Sequence, residues 1–291
     1  MGAGRAVIAG CGDIGRRIAG QLLGSGYRPE QILACVSTEQ SADQCREMGL
    51  PVLIFDLDLT PDLPIEVDAA ELYYLVPPQK QGQQDLRSRV FTTAMTEQGL
   101  TPGKIVLIST TGVYGDCQGE WVTELSPLKP ATDRGLRRLD AEQQWRQWSR
   151  AADVGLNILR VPGIYAHSRI PHKRLANAEP VVRPEECGYS NRIHADDLAQ
   201  VAIAAMCLPE ADEVFNATDG APGKISEYLQ AAAQVAGLPP LPEISMQTAR
   251  QQLSAGMLSY LGESRKISNR KMLQQLKVAL RHPDFRTGLR H

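Results

Sequence analysis

The 291 residues carry 31 Lys and Arg against 33 Asp and Glu, a net charge of −2, so no overall field draws the chain to nucleic acid or to an anionic membrane. No apolar stretch is long enough to span a bilayer, and the N-terminus does not read as a signal peptide. The six cysteines lack C-x-x-C spacing and the five histidines lack metal-ligand spacing; we expect a cytoplasmic, reducing setting, no metal and no redox-cysteine site.

Residues 6–9 form a short apolar run that feeds into Gly10-Cys11-Gly12-Asp13-Ile14-Gly15, and residues 16–23 continue at helical spacing. G-x-G-x-x-G between strand and helix is the pattern of a dinucleotide-binding turn. Gly10 makes the turn, Gly12 lets the main chain approach a pyrophosphate, and Gly15 lets the helix lie close to the sheet. The N–H groups at the helix start then face the phosphates. Cys11, inside the turn, is either open to solvent when no cofactor is bound or simply the variable position of the pattern.

Residues 31–36 read as a second strand. A carboxylate at its tip would bind the adenosine ribose of NAD. Here Ser37 and Thr38 stand at the tip and Glu39 comes one step late. A 2′-phosphate is therefore not repelled, which leans towards NADP over NAD. A helix over 41–48 and a strand over 51–55 follow. Asp56, with Leu57 beside it, stands where a carboxylate meets the adenine amino group or caps the next turn. Residues 70–76 form a fourth strand whose last residue, Val76, passes into Pro77 and Pro78, a rigid exit from a sheet. A helix over 84–98 and a strand over 104–109 come next.

This alternation predicts a mostly parallel sheet covered on both faces, with ligands beyond the C-terminal ends of its strands. Thr110-Thr111-Gly112-Val113-Tyr114-Gly115 lies at that edge, where hydroxyls meet a substrate oxygen near the nicotinamide or simply close a polar turn. The helix predicted over 133–152 carries Arg134, Arg137, Arg138, Arg146 and Arg150 beside Trp145 and Trp148. That composition suits a homodimer contact, and docking on the sheet explains the tryptophans almost as well. A sixth strand over 157–161 ends at Pro162. The polar segment 168–189, with Arg183, either closes over the cleft and holds an anionic group of the substrate or is solvated. Asp196 and Asp197 are placed to cap a helix over 198–207. A strand over 213–217 and helices over 225–235, 248–261 and 269–280 complete the chain.

The glycine turn, Ser109-Thr110-Thr111-Gly112-Val113-Tyr114-Gly115, Leu159-Arg160-Val161-Pro162-Gly163-Ile164-Tyr165, Arg192-Ile193-His194-Ala195-Asp196-Asp197 and Phe215-Asn216-Ala217-Thr218-Asp219-Gly220 occur in one order. In that order the chain resembles the extended short-chain dehydrogenases/reductases, in their NAD-dependent epimerase/dehydratase branch, over residues 5–288. It is similar within that branch to a bacterial subgroup of atypical members. The resemblance implies an α/β fold: a Rossmann-type, doubly wound parallel sheet from residues 1–165, joined by 190–217, and a small C-terminal substrate lobe from 166–189 and 218–291, mainly helical.

The resemblance also implies NADP or NAD as cofactor, held by the glycine turn and by Ser37, Thr38, Asp56, Leu57, Val76, Pro77, Arg138 and Pro162. A small molecule is the implied partner. Thr110 falls on the hydroxyl that orients the substrate oxygen, with Thr111 beside it. Arg192 falls near a position that contacts a substrate phosphate in nucleotide-sugar members. The long helix departs from the family: alignment with its Y-x-x-x-K motif puts Arg134 on the tyrosine and Arg138 on the lysine. Arg138 supplies charge without a lysine's geometry. Arg134 stays protonated and cannot be a general base.

For an active enzyme the candidates for a displaced acid/base are Tyr114, Tyr165, Tyr189 and His194; Tyr114 neighbours Thr110, although packing beneath the loop is the more frequent fate of a tyrosine in that motif. Three readings stand. The chain is an oxidoreductase or epimerase acting on a small carbonyl, hydroxyl or sugar-like substrate; or a non-catalytic NAD(P)-binding regulatory or partner-binding protein; or an isomerase or lyase whose cofactor is structural.

Overall fold

The computed structural model describes residues 4–59 and 62–290. Its main sheet contains β1 Ala6–Ala9, β2 Ile32–Val36, β3 Val52–Ile54, β4 Glu71–Tyr74, β5 Lys104–Thr110, β6 Gly155–Val161 and β7 Val214–Asn216. All neighbours are parallel in the order β3-β2-β1-β4-β5-β6-β7. The winding therefore reverses between β1 and β4, which opens a crevice at their C-terminal ends. Ala9 pairs with both Cys35 and Tyr74, so β1, β2 and β4 reach that crevice level with one another.

The period-two alternation of β1 supplies both faces of the sheet. Ala6 and Ile8 pack with Ile18 and Leu22 of α1 (Asp13–Gly24). Val7 and Ala9 face the layer that holds Phe91 and Met95 of α3 (Leu86–Gln98) and Trp145 of α4 (Asp133–Ala152); α2 (Glu39–Arg46) comes earlier in the chain. Each such large apolar side chain, once buried, contributes about 1.5–3 kcal/mol. The Trp145 ring centre lies 4.6 Å from that of Tyr74, and its Nε1 donates to Ser88 Oγ at 3.1 Å. Trp148 donates to Thr96 of α3 at 2.9 Å. These two side chains thus dock α4 within the subunit.

The expected helix over 198–207 begins earlier, as α5 (Ala195–Cys207), and its cap is neither aspartate. His194 Nδ1 accepts from the Asp196 N–H at 3.2 Å. Asp197, fully buried, instead accepts from the N–H groups of Arg281 and His282, each at 2.8 Å. The single helix expected over 248–261 is two, Met246–Gln252 and Ala255–Leu261, because Ser254 interrupts it and caps the second by accepting from Met257 N–H.

Tyr165, Leu175, Val181 and Phe285 form a separate apolar cluster with Tyr228 and Leu229 of α6 (Ile225–Val235). Met272 and Leu276, from the helix Arg270–Leu276, do not join it; they pack with α5 against the sheet. The last segments also return to the strand-end edge, where Lys266–Ile267 pairs with Trp121–Val122 and Tyr189–Ser190 with Gly223–Lys224. No described helix is long and apolar enough to cross a membrane.

Candidate active site

Two recesses lie along the C-terminal edge of the sheet. The first, of about 120 Å³, is lined by Gly10, Ser37, Asp56, Leu57, Val76 and Pro77 among others. Gly10 has φ +85°, and a Cβ there would lie 2.9 Å from Val76 N, so only glycine fits. Its N–H and that of Cys11 both donate to Cys35 O, at 3.0 and 2.9 Å, which ties the turn to the end of β2. A Cβ on Gly15 would meet Ile8 Cγ2 at 3.0 Å, whereas one on Gly12 would meet nothing within 4 Å. The first bond back into α1 is from Arg16 N–H to Gly12 O at 2.9 Å. The N–H groups of Asp13, Ile14 and Gly15 are thus the helix-start donors with no intrahelical acceptor.

Cys11 is fully buried, which leaves it as the variable position of the turn rather than a solvent-open thiol, because its side chain turns inward beside Gly15 and Cys45. Cys45 Sγ donates to Cys11 O at 3.6 Å. A hydrogen bond with Cys45 and burial push the pKa of the free Cys11 thiol up, while the same hydrogen bond lowers that of Cys45. Two thiols far apart in sequence thus meet under the glycine turn, an approach their spacing does not announce. The Asp13 carboxylate is held by Arg169 at 2.7 Å and Arg17 at 3.1 Å. Burial opposes its charge, but these two bonds prevail and its pKa is lowered.

Ser37 faces the first recess; Thr38 does not, since its hydroxyl caps α2 by accepting from Ser41 N–H at 3.3 Å. Asp56 lines the recess and also accepts from Asp58 N–H at 2.9 Å, closing the following turn. Arg87, which the sequence did not single out, completes the wall; it holds Asp58 with two 2.7 Å bonds and donates to Pro77 O at 3.2 Å.

The second recess, of about 200 Å³, brings together Thr110, Thr111, Arg134, Pro162, Tyr189, Tyr260, Glu263 and Arg265 with their neighbours. Arg138 is not among the lining residues of either recess; it donates to Ile108 O at 3.2 Å and Val76 O at 3.4 Å, at the ends of neighbouring strands. Burial lowers its pKa, against the pull of Asp85. Gly135 explains how Arg134 arrives: a Cβ there would lie 2.9 Å from Gly112 O and 2.8 Å from Pro130 Cβ. Glycine lets the first turn of α4 press onto the Thr110–Gly112 turn.

Tyr114 is withdrawn from the role proposed for it. It is fully buried, donates to Asn216 Oδ1 at 2.7 Å and accepts from Arg160 at 3.0 Å. Arg160 in turn grips Glu142 through bonds of 3.0 and 2.8 Å, and Glu142 also accepts from Ser109 at 2.6 Å. Tyr114 therefore belongs to a buried polar network beneath the site, and burial pushes its pKa up.

Two other candidates are also engaged away from the recess. Tyr165 donates to His282 O at 3.1 Å. His194 is fully buried, its ring centre 3.8 Å from that of His282. Tyr189 alone of the four lines the recess. Its N–H donates to Ser264 Oγ at 2.9 Å, and Lys224 Nζ sits 3.8 Å from its ring centre.

Neither of the expected anion-binding arginines lines the recess. Arg192 is 5% exposed, with its guanidinium 3.8 Å from the Tyr228 ring centre. Arg183 is exposed and faces Glu186 at 3.6 Å. Tyr260, Glu263 and Arg265 come from the expected C-terminal lobe, but the sequence singled out none of them. Asn191 anchors it, accepting from Ile267 N–H at 2.9 Å and donating to Arg265 O at 3.0 Å.

The fold also gathers one donor atom each from His194, Asp196 and His282 within 4.8 Å of one another. Asp196 is already bound by Arg17, and His194 Nδ1 by the Asp196 N–H.

No family model matches the chain. Protein YeeZ of Escherichia coli K12 is 24% identical over 246 residues, which cover 81% of this chain and 85% of that protein. A conserved protein of unknown function from Silicibacter pomeroyi DSS superposes with a TM-score of 0.84 at 28% identity, over 99% of this chain and 97% of its own. The UDP-glucuronic acid 4-epimerase of Bacillus cereus, solved with NAD, superposes at 0.74 with 16% identity, over 98% of this chain and 96% of its own. The Rossmann-type doubly wound sheet with an added C-terminal lobe is thus common to this chain and to NAD-binding epimerases.

Proposed function

We propose that the chain is an NAD(P)-dependent oxidoreductase or epimerase acting on a small carbonyl, hydroxyl or sugar-like substrate. The observation that carries this reading is what one sheet edge brings together: the glycine turn with its recess, a second recess walled by Thr110 and Tyr189, and Arg138 bonded to the ends of two neighbouring strands at Val76 O and Ile108 O. A dinucleotide fits the residues present, because position 10 admits only glycine, position 12 is open on its outer side, and the start of α1 offers unpaired N–H groups. When bound, the nicotinamide gives or takes a hydride.

Around it, Thr110 donates a hydrogen bond to the substrate oxygen, Tyr189 gives or takes the proton on that oxygen, and Arg138 contributes fixed positive charge. Ser37 presents no negative charge to a 2′-phosphate, so NADPH is expected to bind at least as tightly as NADH by fluorescence titration. A tenfold preference for NADH would defeat that part.

The test of the whole reading is absorbance-monitored turnover over a panel of hydroxy, keto and sugar substrates. Tyr189→Phe should lower kcat by about 100-fold or more with cofactor affinity unchanged, while Tyr114→Phe leaves kcat within about threefold and costs about 1 kcal/mol of stability. Cofactor binding without any turnover by the unaltered protein would favour a binding-only role.

A further inference from the structure

We propose that the second recess takes a small acid, with the carboxylate or phosphate of the substrate seated against Arg134 and its reacting hydroxyl or carbonyl at Thr110. This rests on the oxidoreductase/epimerase reading for the chemistry at Thr110, whereas the charge argument stands apart from it.

The wall of the recess has a definite sign. Arg265 is neutralised by Glu263 at 2.8 Å and also donates to Gly115 O. Arg134 is exposed at the recess and forms no ion pair with a carboxylate among the described residues. Lys224 and Lys266 do not line the recess but lie 3.8 and 5.2 Å from the ring centre of Tyr189, which does, and neither is bridged to a carboxylate among the described residues. In a chain whose net charge is −2, Arg134 thus stands at the recess as a cation with no carboxylate partner among the described residues, and a ligand of opposite sign is what it draws in.

Geometry narrows the group that meets the anion. Contact of Gly135 with Gly112 and Pro130 fixes the backbone beside Arg134 against the Thr110 turn, and Arg134 and Thr110 line the same recess, where one small molecule can meet both. The planar fork of Arg134 suits the paired oxygens of a carboxylate or phosphate. The other guanidiniums that the sequence offered are committed elsewhere, Arg192 over Tyr228 and Arg183 towards Glu186. At about 200 Å³ the recess is smaller than the range common for drug-sized ligands, about 300–1,000 Å³. A compact hydroxy or keto acid, or its phosphate counterpart, matches that size, and a nucleotide does not.

Calorimetric titration of the full chain, saturated with NADH or NADPH, tests this with malonate, inorganic phosphate and UDP as probes. Malonate or phosphate should bind, and Arg134→Gln should weaken that binding at least tenfold while Arg183→Gln leaves it unchanged; the tighter of the two probes tells carboxylate from phosphate. Three results would each overturn the proposal: no anion binding, anion binding indifferent to Arg134→Gln, or UDP binding at least tenfold tighter than both small anions. Cofactor affinity measured on the same proteins separates the two claims. Absence of dinucleotide binding sinks the proposed function, whereas cofactor binding without anion binding sinks only the small-acid site.

Discussion

The two recesses meet along one edge but are built by different means. On the cofactor side the main chain does the positioning: Gly10 and Cys11 N–H groups bond Cys35 O, and Gly10 packs against the backbone of Val76. On the substrate side, positions are set by side chains from distant segments, through Asn191 bonding residues 265 and 267, Ser264 bonding Tyr189, and Asp116 accepting from Ser264 N–H at 2.8 Å. A site coded by backbone needs a few glycines in fixed order, and these are readable in a linear pattern. A site coded by side-chain reach across the fold leaves no such local signature.

The largest effect should come from breaking the backbone-coded side. Gly10→Ala puts a Cβ 2.9 Å from Val76 N at a φ of +85°, a conformation that costs a non-glycine residue about 1–3 kcal/mol before the clash is counted. Cofactor affinity should fall by about 100-fold or more, and the melting temperature should drop. Gly12→Ala is the sharper half of the pair: its φ of −78° lies outside the left-handed region, and nothing among the described residues lies within 4 Å of the new Cβ. It should keep the melting temperature and still weaken dinucleotide binding, since the methyl group closes the approach that Gly12 leaves open. If both variants bind cofactor like the unaltered protein, the main chain of this turn does not hold a dinucleotide.

The same contrast accounts for what the sequence revealed. The strands of the main sheet, the glycine turn and the threonines at the end of β5 announced themselves through apolar runs and punctuation, and α4 kept the bounds read from its spacing. Arg134 was visible as an anomaly, an arginine where the family resemblance wants tyrosine. Tyr114 misled because closeness in sequence to Thr110 says nothing of direction: the turn of residues 111–114 carries its side chain under the sheet edge to Asn216 and Arg160. Tyr260 and Arg265 were invisible because their place depends on Lys266–Ile267 pairing with Trp121–Val122, a contact between segments far apart in the chain.

A smaller and pH-dependent effect probes the seam between sheet and lobe. His194 ends the short strand Arg192–His194, caps α5 and stacks on His282 from the C-terminal segment. Burial, reinforced by His282 and Arg17, holds its imidazole at about 4, below the usual 6.5, although Asp196 and Asp197 pull the other way. The cap requires the same neutral form, because Nδ1 must accept from the Asp196 N–H.

Above pH 6.5 the imidazole is neutral in folded and unfolded chains alike, and the stability is fully present. As pH falls below 6.5 the unfolded chain takes a proton that the fold refuses, so stability declines until the folded group also titrates near 4. At about 1.4 kcal/mol per pH unit, the loss between pH 7 and pH 5 is about 2 kcal/mol. His194→Gln keeps an acceptor for the cap and does not titrate, so urea unfolding should show the unaltered protein losing about 2 kcal/mol more than the variant over that interval. Parallel losses would mean that the imidazole is not held neutral, and that the seam tolerates charge as readily as the exposed rim of the recess does.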